Sequence, residues 1–560
     1  MLVAVGPDSD PGRRLGRRPS HIGLCMVALL GVVCRTAVAH DDSLHAFQRE
    51  RALAQAKADA LAENSGQAED PHSCRVTVEL VDDFTQESLP GLVRVTNLQS
   101  GKAVKLAGRI HRALNWYSLP KSTTLHLPRA RVRIEALRGL ETVRVERDLD
   151  LRSLESITAK LTLRKFYDLH ARKWYSGNTH LHLRRLSRAD AERYLHVVSR
   201  SDALDVVYLS HLRRIPDETD YISNEMVEES FQGDSLRRLS HDGVLFSKGE
   251  EHRHNFGRGG EGYGHVMWLD LQKLIRPVSI GPGIMRGGTD GIALQQGIRK
   301  ARADGATVIW CHNSFGYEDL PNWVGGLLHA QNIFDGGSQG SYEETFYRYL
   351  NLGMRVPFST GTDWFIFDFA RVYVPVDGNL TAARWLKELR DGKSFITNGP
   401  LLELETERAW VGDTLTMSGP NRVTIVGRGL GRLNFGGLEL VYNGKVVHRV
   451  AAEAERGYFI ADMRHGLEIT EPGWFALRIP ANVGKTELDR PLFAHTSPIY
   501  VELAGRSIFR EDVARDLIGE MQESMLAIEQ KATFANDGER QAVSNVYRAG
   551  IKTLQDRLGN

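Results

Sequence analysis

The sequence has little that would tie it to a nucleic acid, a disulfide framework or a membrane. Its 71 Lys+Arg balance its 70 Asp+Glu, so charge gives no reason to expect a nucleic acid or an anionic membrane as partner. Of its four cysteines, Cys25 and Cys34 fall in an N-terminal targeting segment, and Cys74 and Cys311 are predicted to be separate thiols. No apolar run approaches the about 20 residues that span a bilayer, so no stable membrane anchor is expected.

The N-terminus carries the pattern of a cleaved signal. Arginines at positions 13, 14, 17 and 18 precede the short apolar run "IGLCMVALLGVVC", and the small residues "AVA" end at position 39. This order predicts a signal peptide over residues 1–39 and an exported protein, periplasmic or extracellular. The paired arginines leave Sec and twin-arginine export open as alternatives.

The chain is long enough for several domains, because a single core rarely grows past about 250–300 residues. Residues 40–72 are rich in Ala, Gln and charge, which predicts a helical or disordered arm. Residues 73–164 alternate apolar and polar positions in short runs such as "RVTVELVDD" and "ARVRIEAL". Period-2 alternation broken by turn residues predicts an N-terminal β-sandwich.

The centre of the chain has a different pattern. Between residues 165 and 400, near-continuous apolar runs such as "DVVYLSHL" and "ATVIWCHNS" are separated by helical segments. Strand–helix alternation of this kind predicts a multidomain α/β protein whose central domain is a parallel-sheet barrel. Residues 401–505 return to alternating strands and predict a C-terminal β-domain, and residues 506–560 predict a helical tail.

Potential metal ligands recur along this central region. His180 and His182 are two residues apart in "YSGNTHLHL", so on a strand they point to one face. Later apolar runs border further His, Glu or Asp side chains, which is how barrel active sites are built; these are His211, Glu250, Glu251, His252, His254, His265, His312 and Asp363. Imidazoles with carboxylates predict zinc, manganese or iron, and a carboxylate among histidines can also bridge two ions.

Other interpretations weigh less. A lone histidine at a strand end is more often a hydrogen-bonded loop residue, and His254 stands in a polar stretch. "GGSQG" at 336–340 matches G-x-S-x-G, with Ser338 as nucleophile. A nucleophile elbow needs a buried strand just before it, and "HAQNIFD" is a poor strand candidate, so a glycine loop is favoured. Cys311 alternates away from His312 and is predicted to be a buried apolar residue.

The ordered set "SGNTHLHL", "VVYLSH", "GEEHRH", "VIWCHN" and "GTDW" resembles the PHP (polymerase and histidinol phosphatase) superfamily, and more closely its CehA/McbA-type metallohydrolases. The resemblance covers about residues 174–404 and implies a distorted (β/α)7 barrel with one to three divalent ions. It places the metal ligands at His180, His182, Glu251, His265, His312 and Asp363. In this assignment Glu251 is the bridging ligand, and His254 is a substitute for His265.

The sequence departs from the family at several of its motif positions. Leu209 and Ser210 precede His211 where the family has Thr-Asp, and Trp364 and Phe365 follow Asp363 where it has a later histidine. Asn313 follows His312 where the family has proline. One or two ions are therefore expected rather than three, and His211 is expected to contact substrate or water.

These features predict an exported metal-dependent hydrolase. Asp363 is expected to bind metal and take a proton, and His211 or Arg371 to stabilise a developing oxyanion. The favoured substrate is a small molecule with an ester, carbamate or amide-type bond. A phosphoesterase is the first alternative. The second is an exported binding protein with a degenerate barrel, whose flanking β-domains bind a glycan or a protein.

Overall fold

The computed structural model describes residues 73–559 except 213–220, 241–242, 257–261, 284–286 and 315. The predicted signal peptide and the arm over residues 40–72 lie outside the described residues. The described chain is a mixed α/β protein made mostly of strands, with a helical C-terminal tail.

The N-terminal region consists of two packed antiparallel-rich sheets. Its strands are β1 (Ser73–Asp82), β2 (Ser88–Leu89), β3 (Gly91–Asn97), β4 (Ile110–His111), β5 (Tyr117–Leu119), β6 (Thr123–Pro128), β7 (Arg131–Leu137), β8 (Val145–Asp150) and β9 (Ser156–Leu163). One sheet joins β2, β1, β6 and β9, and the other has the order β4-β5-β3-β7-β8. Alternate residues such as Val76, Val95 and Ile134 are buried in a shared core, as the period-2 pattern predicts.

The central region contains the strands and helices that position the candidate site. They are β10 (Trp174–His182), α1 (Arg188–Ser201), β11 (Val206–Leu212), α2 (Ile222–Ser230), α3 (Ser235–Leu239), β12 (Leu245–His254), β13 (Gly264–Leu269), α4 (Leu294–Ala303), β14 (Thr307–Trp310), α5 (Asp319–Val324), β15 (Ala330–Asn332), α6 (Phe346–Asn351), β16 (Phe358–Ser359), β17 (Asp363–Trp364), β18 (Arg371–Pro375), α7 (Ala382–Arg390) and β19 (Phe395–Thr397).

These strands form a curled sheet. Its order runs β16-β15-β14-β13-β12-β11-β10-β18-β19, and the segment that leaves β16 returns as β17 to pair with β10. Strands β10, β11 and β12 are parallel. Strand β13 is antiparallel to both neighbours, where the sequence pattern predicted a parallel sheet. The reason is the short connection over residues 255–263, since a parallel crossover needs about a dozen residues or more.

The C-terminal region extends this sheet and adds the tail. Its elements are β20 (Leu401–Thr406), β21 (Thr414–Met417), β22 (Asn421–Gly431), β23 (Gly437–Tyr442), β24 (Lys445–Ala451), β25 (Glu453–Glu455), β26 (Tyr458–Ile469), β27 (Gly473–Arg478), β28 (Ala494–Thr496), β29 (Ile499–Leu503), α8 (Glu511–Lys531) and α9 (Asp537–Leu558). Strand β28 pairs with β19, so the central sheet continues without a break into β27, β23 and β24.

The tail helices pack on the central region rather than extend from it. Asn536 caps α9 by accepting a hydrogen bond from the backbone of Glu539, which is how asparagine satisfies a helix N-terminus. Leu517, Met521 and Tyr547 are buried in the same core as the central strands. No helix in the described part of the chain is long and apolar enough to cross a membrane.

Candidate metal centre

His180 and His182 open the site at the end of β10, and both side chains are fully buried. The Nδ1 atom of His180 lies 2.7 Å from Asp335 Oδ2, and the Nδ1 atom of His182 lies 2.9 Å from the carbonyl oxygen of Ser210. A carboxylate and a carbonyl can only accept, so each Nδ1 donates its proton. Each Nε2 atom is thereby left with its lone pair in the neutral imidazole.

Those two lone pairs point at the same place. The Nε2 atoms of His180 and His182 lie 3.0 Å apart, and Glu251 Oε2 lies 3.0 Å from the Nε2 of His182. With both imidazoles neutral these are three acceptors, and they repel one another unless a metal ion or an added proton lies among them. Metal-binding histidines are held in this way by an outer acceptor on the other ring nitrogen. The residues therefore fit a divalent metal ion.

Asp363 completes this first group of ligand atoms. Its Oδ1 lies 3.4 Å from the Nε2 of His180 and 3.8 Å from that of His182. His180, His182, Glu251 and Asp363 each offer an atom within 4.8 Å of the others, and all are buried. Two imidazoles with two carboxylates suit zinc, manganese or iron.

A second group shares Glu251 with the first. Glu251 Oε1 lies 3.1 Å from the Nδ1 atom of His265, and Glu251, His265 and His312 also offer atoms within 4.8 Å of one another. The rings of His265 and His312 are 5.0 Å apart. One carboxylate with an oxygen in each group has the position of a bridging ligand, so the buried cluster can hold metal at two adjoining places.

The backbone takes uncommon conformations to bring these ligands together. His312 and Asp363 both have φ of 55°, in the left-handed region that non-glycine residues rarely adopt and that is concentrated at functional sites. A Cβ at Gly361 would lie 2.7 Å from the backbone nitrogen of His180. At Gly336, where φ is +62°, a Cβ would lie 3.1 Å from that of Asp363. Because neither glycine has a Cβ, its backbone can lie close to a metal-ligand candidate, His180 for Gly361 and Asp363 for Gly336.

The pKa values of the cluster residues show which charges the buried site favours. Burial opposes ionisation of Glu251, but hydrogen bonds from His180, His182 and His265 hold its pKa well below the usual value. Burial also lowers the pKa of His180, yet the Asp335 carboxylate outweighs it and the net pKa lies well above the usual value. Burial raises the pKa of Asp363. Positive charge among these carboxylates is thus strongly favoured.

The sheet has two faces here, and the predicted residues divide between them. We call the face that carries His180, His182, Glu251 and His265 the inner face, and the opposite face the outer face. His211 pairs in register with Glu250, so both lie on the outer face because strand side chains alternate.

Three predicted site residues are not brought to the cluster. His211 contacts Glu228 of α2 at 2.9 Å. His254 lies on the outer face, where its Nε2 is 3.1 Å from Asp290 Oδ1 and its ring stacks on Tyr263. The Arg371 guanidinium donates to the carbonyl oxygens of Phe369 and Asp202. The structure thus gives His211, His254 and Arg371 contacts away from the metal ligands, and the roles expected of them stay predictions.

Sequence reasoning missed Asp335. Asp335 is fully buried. Its Oδ2 accepts a hydrogen bond from His180 and lies 3.6 Å from the Nδ1 of His312. The signal was present, because Asp335 follows the short buried strand β15, but "HAQNIFD" was interpreted as a poor strand. Cys311 lies beside His180 and Asp335 as a third potential ligand group, with a free buried thiol whose pKa burial raises.

No family model matches the chain, and no curated protein matches it. Among solved structures, the apo structure of Bacteroides uniformis beta-glucuronidase 3 is 10% identical, with a TM-score of 0.16. That alignment covers 77% of this chain and 63% of the other, so the chain spans less than two thirds of that protein's length. The metal centre itself therefore carries the functional argument.

Proposed function

We propose that the protein is an exported metal-dependent hydrolase whose curled central sheet is a PHP-type barrel. One observation carries this proposal: the Nε2 atoms of His180 and His182 face each other at 3.0 Å, with both Nδ1 atoms already committed as donors. A purely structural histidine pair would be arranged donor to acceptor. With both imidazoles neutral, this pair is arranged acceptor to acceptor beside a carboxylate, and either a metal ion or an added proton on His180 would satisfy it.

The residues that would hold the ions are those of the two groups that share Glu251. When bound, divalent ions would supply an electrophile for the scissile group and an acidified water as nucleophile. Zinc, manganese and iron are proposed because all the donors are imidazole nitrogens and carboxylate oxygens. The ordered resemblance of the motifs to the PHP superfamily supports the same activity.

The protein's own side chains have separable tasks in this proposal. Asp335 and the Ser210 carbonyl fix the two imidazoles of β10 in one tautomer and orientation. Glu251 holds the two groups at a set spacing. Asp363 offers a carboxylate oxygen to the first group, and a carboxylate at that place can take up the proton released during hydrolysis. His312 is more exposed than the other ligand candidates, which supports an approach of substrate from its side.

The favoured substrate is a small molecule with an ester, carbamate or amide-type bond. A phosphoester is the second candidate, and Arg253 favours it. Arg253 pairs in register with His265, so its side chain lies on the inner face beside the second ligand group. A guanidinium beside a metal centre matches the geometry of a phosphate group.

Metal analysis combined with a substrate panel tests the function. We expect the purified protein to contain one or two equivalents of zinc, manganese or iron, and to hydrolyse nitrophenyl esters or phosphoesters. The double change His180→Ala/His182→Ala should remove both the metal and the hydrolysis, because it deletes two ligands of the first group. Circular dichroism should show that the variant remains folded.

The outcomes separate the alternatives. Unchanged metal content and unchanged hydrolysis in the folded double variant would refute the site. Phosphoester hydrolysis without ester hydrolysis would select the phosphoesterase. A wild-type protein that holds metal yet turns over neither substrate class would favour an exported binding protein.

A further inference from the structure

We propose that Asn313 is a positioning residue of the metal centre, which holds the His312 turn against the Asp335 turn. The inference rests on the proposed function, since it concerns how two residues of the centre are kept in place. Asn313 is not one of the His, Cys, Asp or Glu ligand candidates of either group. It acts through the two turns that it joins.

Four hydrogen bonds converge on Asn313 from the segment that contains β15 and Asp335. Its backbone N–H donates to the carbonyl of Asn332 at 3.0 Å, and its carbonyl accepts from the side chain of Gln331. Its Oδ1 accepts from the backbone of Phe334 at 2.8 Å, and its Nδ2 donates to the carbonyl of Gln339 at 3.1 Å. The side chain therefore contacts the backbone on both sides of Asp335.

The two joined turns carry neighbouring members of the centre. His312 comes directly before Asn313, and Asp335 comes directly after Phe334. The Nδ1 atom of His312 lies 3.6 Å from Asp335 Oδ2, the same oxygen that holds His180 at 2.7 Å. A shift of one turn against the other would therefore alter both the His312 ring and the partner of His180.

The backbone conformation explains why asparagine stands here. His312, Asn313 and Phe334 have φ of 55°, 59° and 55°. Asparagine tolerates this left-handed conformation better than most residues, because its short polar side chain bonds locally. The family that the motifs resemble has proline at this place, but proline is fixed near φ of −65° and has no N–H to donate. Asn313 therefore fixes this turn through hydrogen bonds, whereas proline would fix it through its ring.

Asn313→Gly is the most direct test, because glycine keeps the left-handed backbone and removes only the two side-chain hydrogen bonds. We expect zinc or manganese affinity, measured by competition with a chromogenic chelator, to fall about 10- to 100-fold, the range found for outer-shell partners of metal ligands. For hydrolysis, we expect kcat to fall more than KM. Gln339→Ala is the matched control, since its side chain bonds only carbonyls of its own loop, and its affinity should stay within about twofold.

Asn313→Asp provides a second variant if the glycine variant does not fold. It keeps the acceptor for Phe334 but puts a carboxylate oxygen against the Gln339 carbonyl in place of the donor, so we again expect a loss of affinity. Wild-type affinity in a folded Asn313→Gly or Asn313→Asp variant would overturn the inference and leave the proposed function standing. A wild-type protein that binds neither metal would instead refute the proposed function. Equal losses in Gln339→Ala would also overturn the inference, because the effect would then belong to the loop in general.

Discussion

Glu250 and Glu251 are neighbours on β12 that are both buried, yet they face opposite sides of the sheet. On the outer face, Glu250 meets donors only: the Nε2 of His252 at 3.1 Å, the Arg276 guanidinium at 2.9 Å and the backbone N–H of Ile275 at 2.8 Å. On the inner face, Glu251 meets imidazoles whose other nitrogens are already used as donors. The same residue type is thus in a closed network on one face and in an open cluster on the other.

The difference shows what distinguishes a metal centre from a buried polar network. Buried polar groups are normally matched donor to acceptor, and an unmatched one costs about 1–3 kcal/mol. On the outer face, His252, His254 and His211 each have one ring nitrogen within 3.1 Å of a carboxylate oxygen. On the inner face, neutral His180 and His182 and the Glu251 carboxylate are not matched in this way, and a bound metal ion or added protons would satisfy them.

Substituting each glutamate in turn should give the largest contrast. Glu251→Gln removes the negative charge that both ligand groups share, so we expect metal affinity to fall by more than about 100-fold, beyond the range for outer-shell residues. Glu250→Gln should keep metal content at the wild-type level and cost about 1–3 kcal/mol of unfolding free energy, because one buried hydrogen-bond partner becomes mismatched. Metal content by mass spectrometry and urea unfolding of both variants measure these effects.

The reverse pattern would break the comparison. If Glu250→Gln lost the metal while Glu251→Gln retained it, the ion would lie on the outer face, and the inner cluster would be a network of shared protons.

Histidines on the two faces should differ in how metal changes stability. A metal ion that binds only the folded state adds about 2.7 kcal/mol to the unfolding free energy when its free concentration is about 100 times its Kd. We expect at least this gain on adding zinc or manganese to the chelator-treated protein, and a smaller gain in His265→Gln, which keeps the first ligand group but not the second. His254→Gln should gain as much as the wild type, because His254 is bonded to Asp290 on the outer face.

Thermal unfolding with and without metal measures both variants under identical conditions. A full metal-induced gain in His265→Gln would show that the second ligand group is not used. A lost gain in His254→Gln would instead support its expected role as a substitute for His265.

Much of the inner cluster could be predicted from the sequence, and the reasons lie in local periodicity. The spacing of His180 and His182 fixes a shared face whatever the rest of the fold does. The face of His211 or His254 relative to that pair could not be predicted, because it depends on the register between strands. That register has an irregularity between Asn178 and Leu181, and one residue of slip exchanges the two faces.

The parts that could not be predicted depend on short or irregular segments. Strand β15 is three residues long, too short for a period-2 pattern, so Asp335 was missed. Asp363 was predicted as a ligand from the order of the motifs, but its pairing with Leu181 from a two-residue strand with left-handed backbone could not be predicted from periodicity. Strand β13 is antiparallel because the connection over residues 255–263 is short, and the order of the motifs does not indicate strand direction.

Glu318 is a third buried carboxylate that can be compared with Glu250 and Glu251. It belongs to neither ligand group, and its hydrogen bonds within the described part of the chain involve no basic side chain. It accepts from the backbone N–H groups of Leu294 and Gln295, and burial raises its pKa from 4.5 to about 7. A carboxyl whose folded pKa is raised stabilises the fold fully below the unfolded pKa, and that contribution is lost as pH rises towards 7. We expect a loss of about 1.4 kcal/mol per pH unit in this window, or about 2 kcal/mol between pH 5.5 and 7.

Glu318→Gln isolates that contribution, because glutamine stays neutral at every pH. The amide group of glutamine cannot accept from the second backbone N–H, so the variant should be about 1 kcal/mol less stable than the wild type at pH 5. The difference should shrink and change sign as pH rises to 8, where the wild type must bury a charge. Urea unfolding at both pH values measures it. A difference that stays constant would mean that Glu318 is ionised throughout, held by its two backbone donors, and that a buried carboxylate here needs no cation.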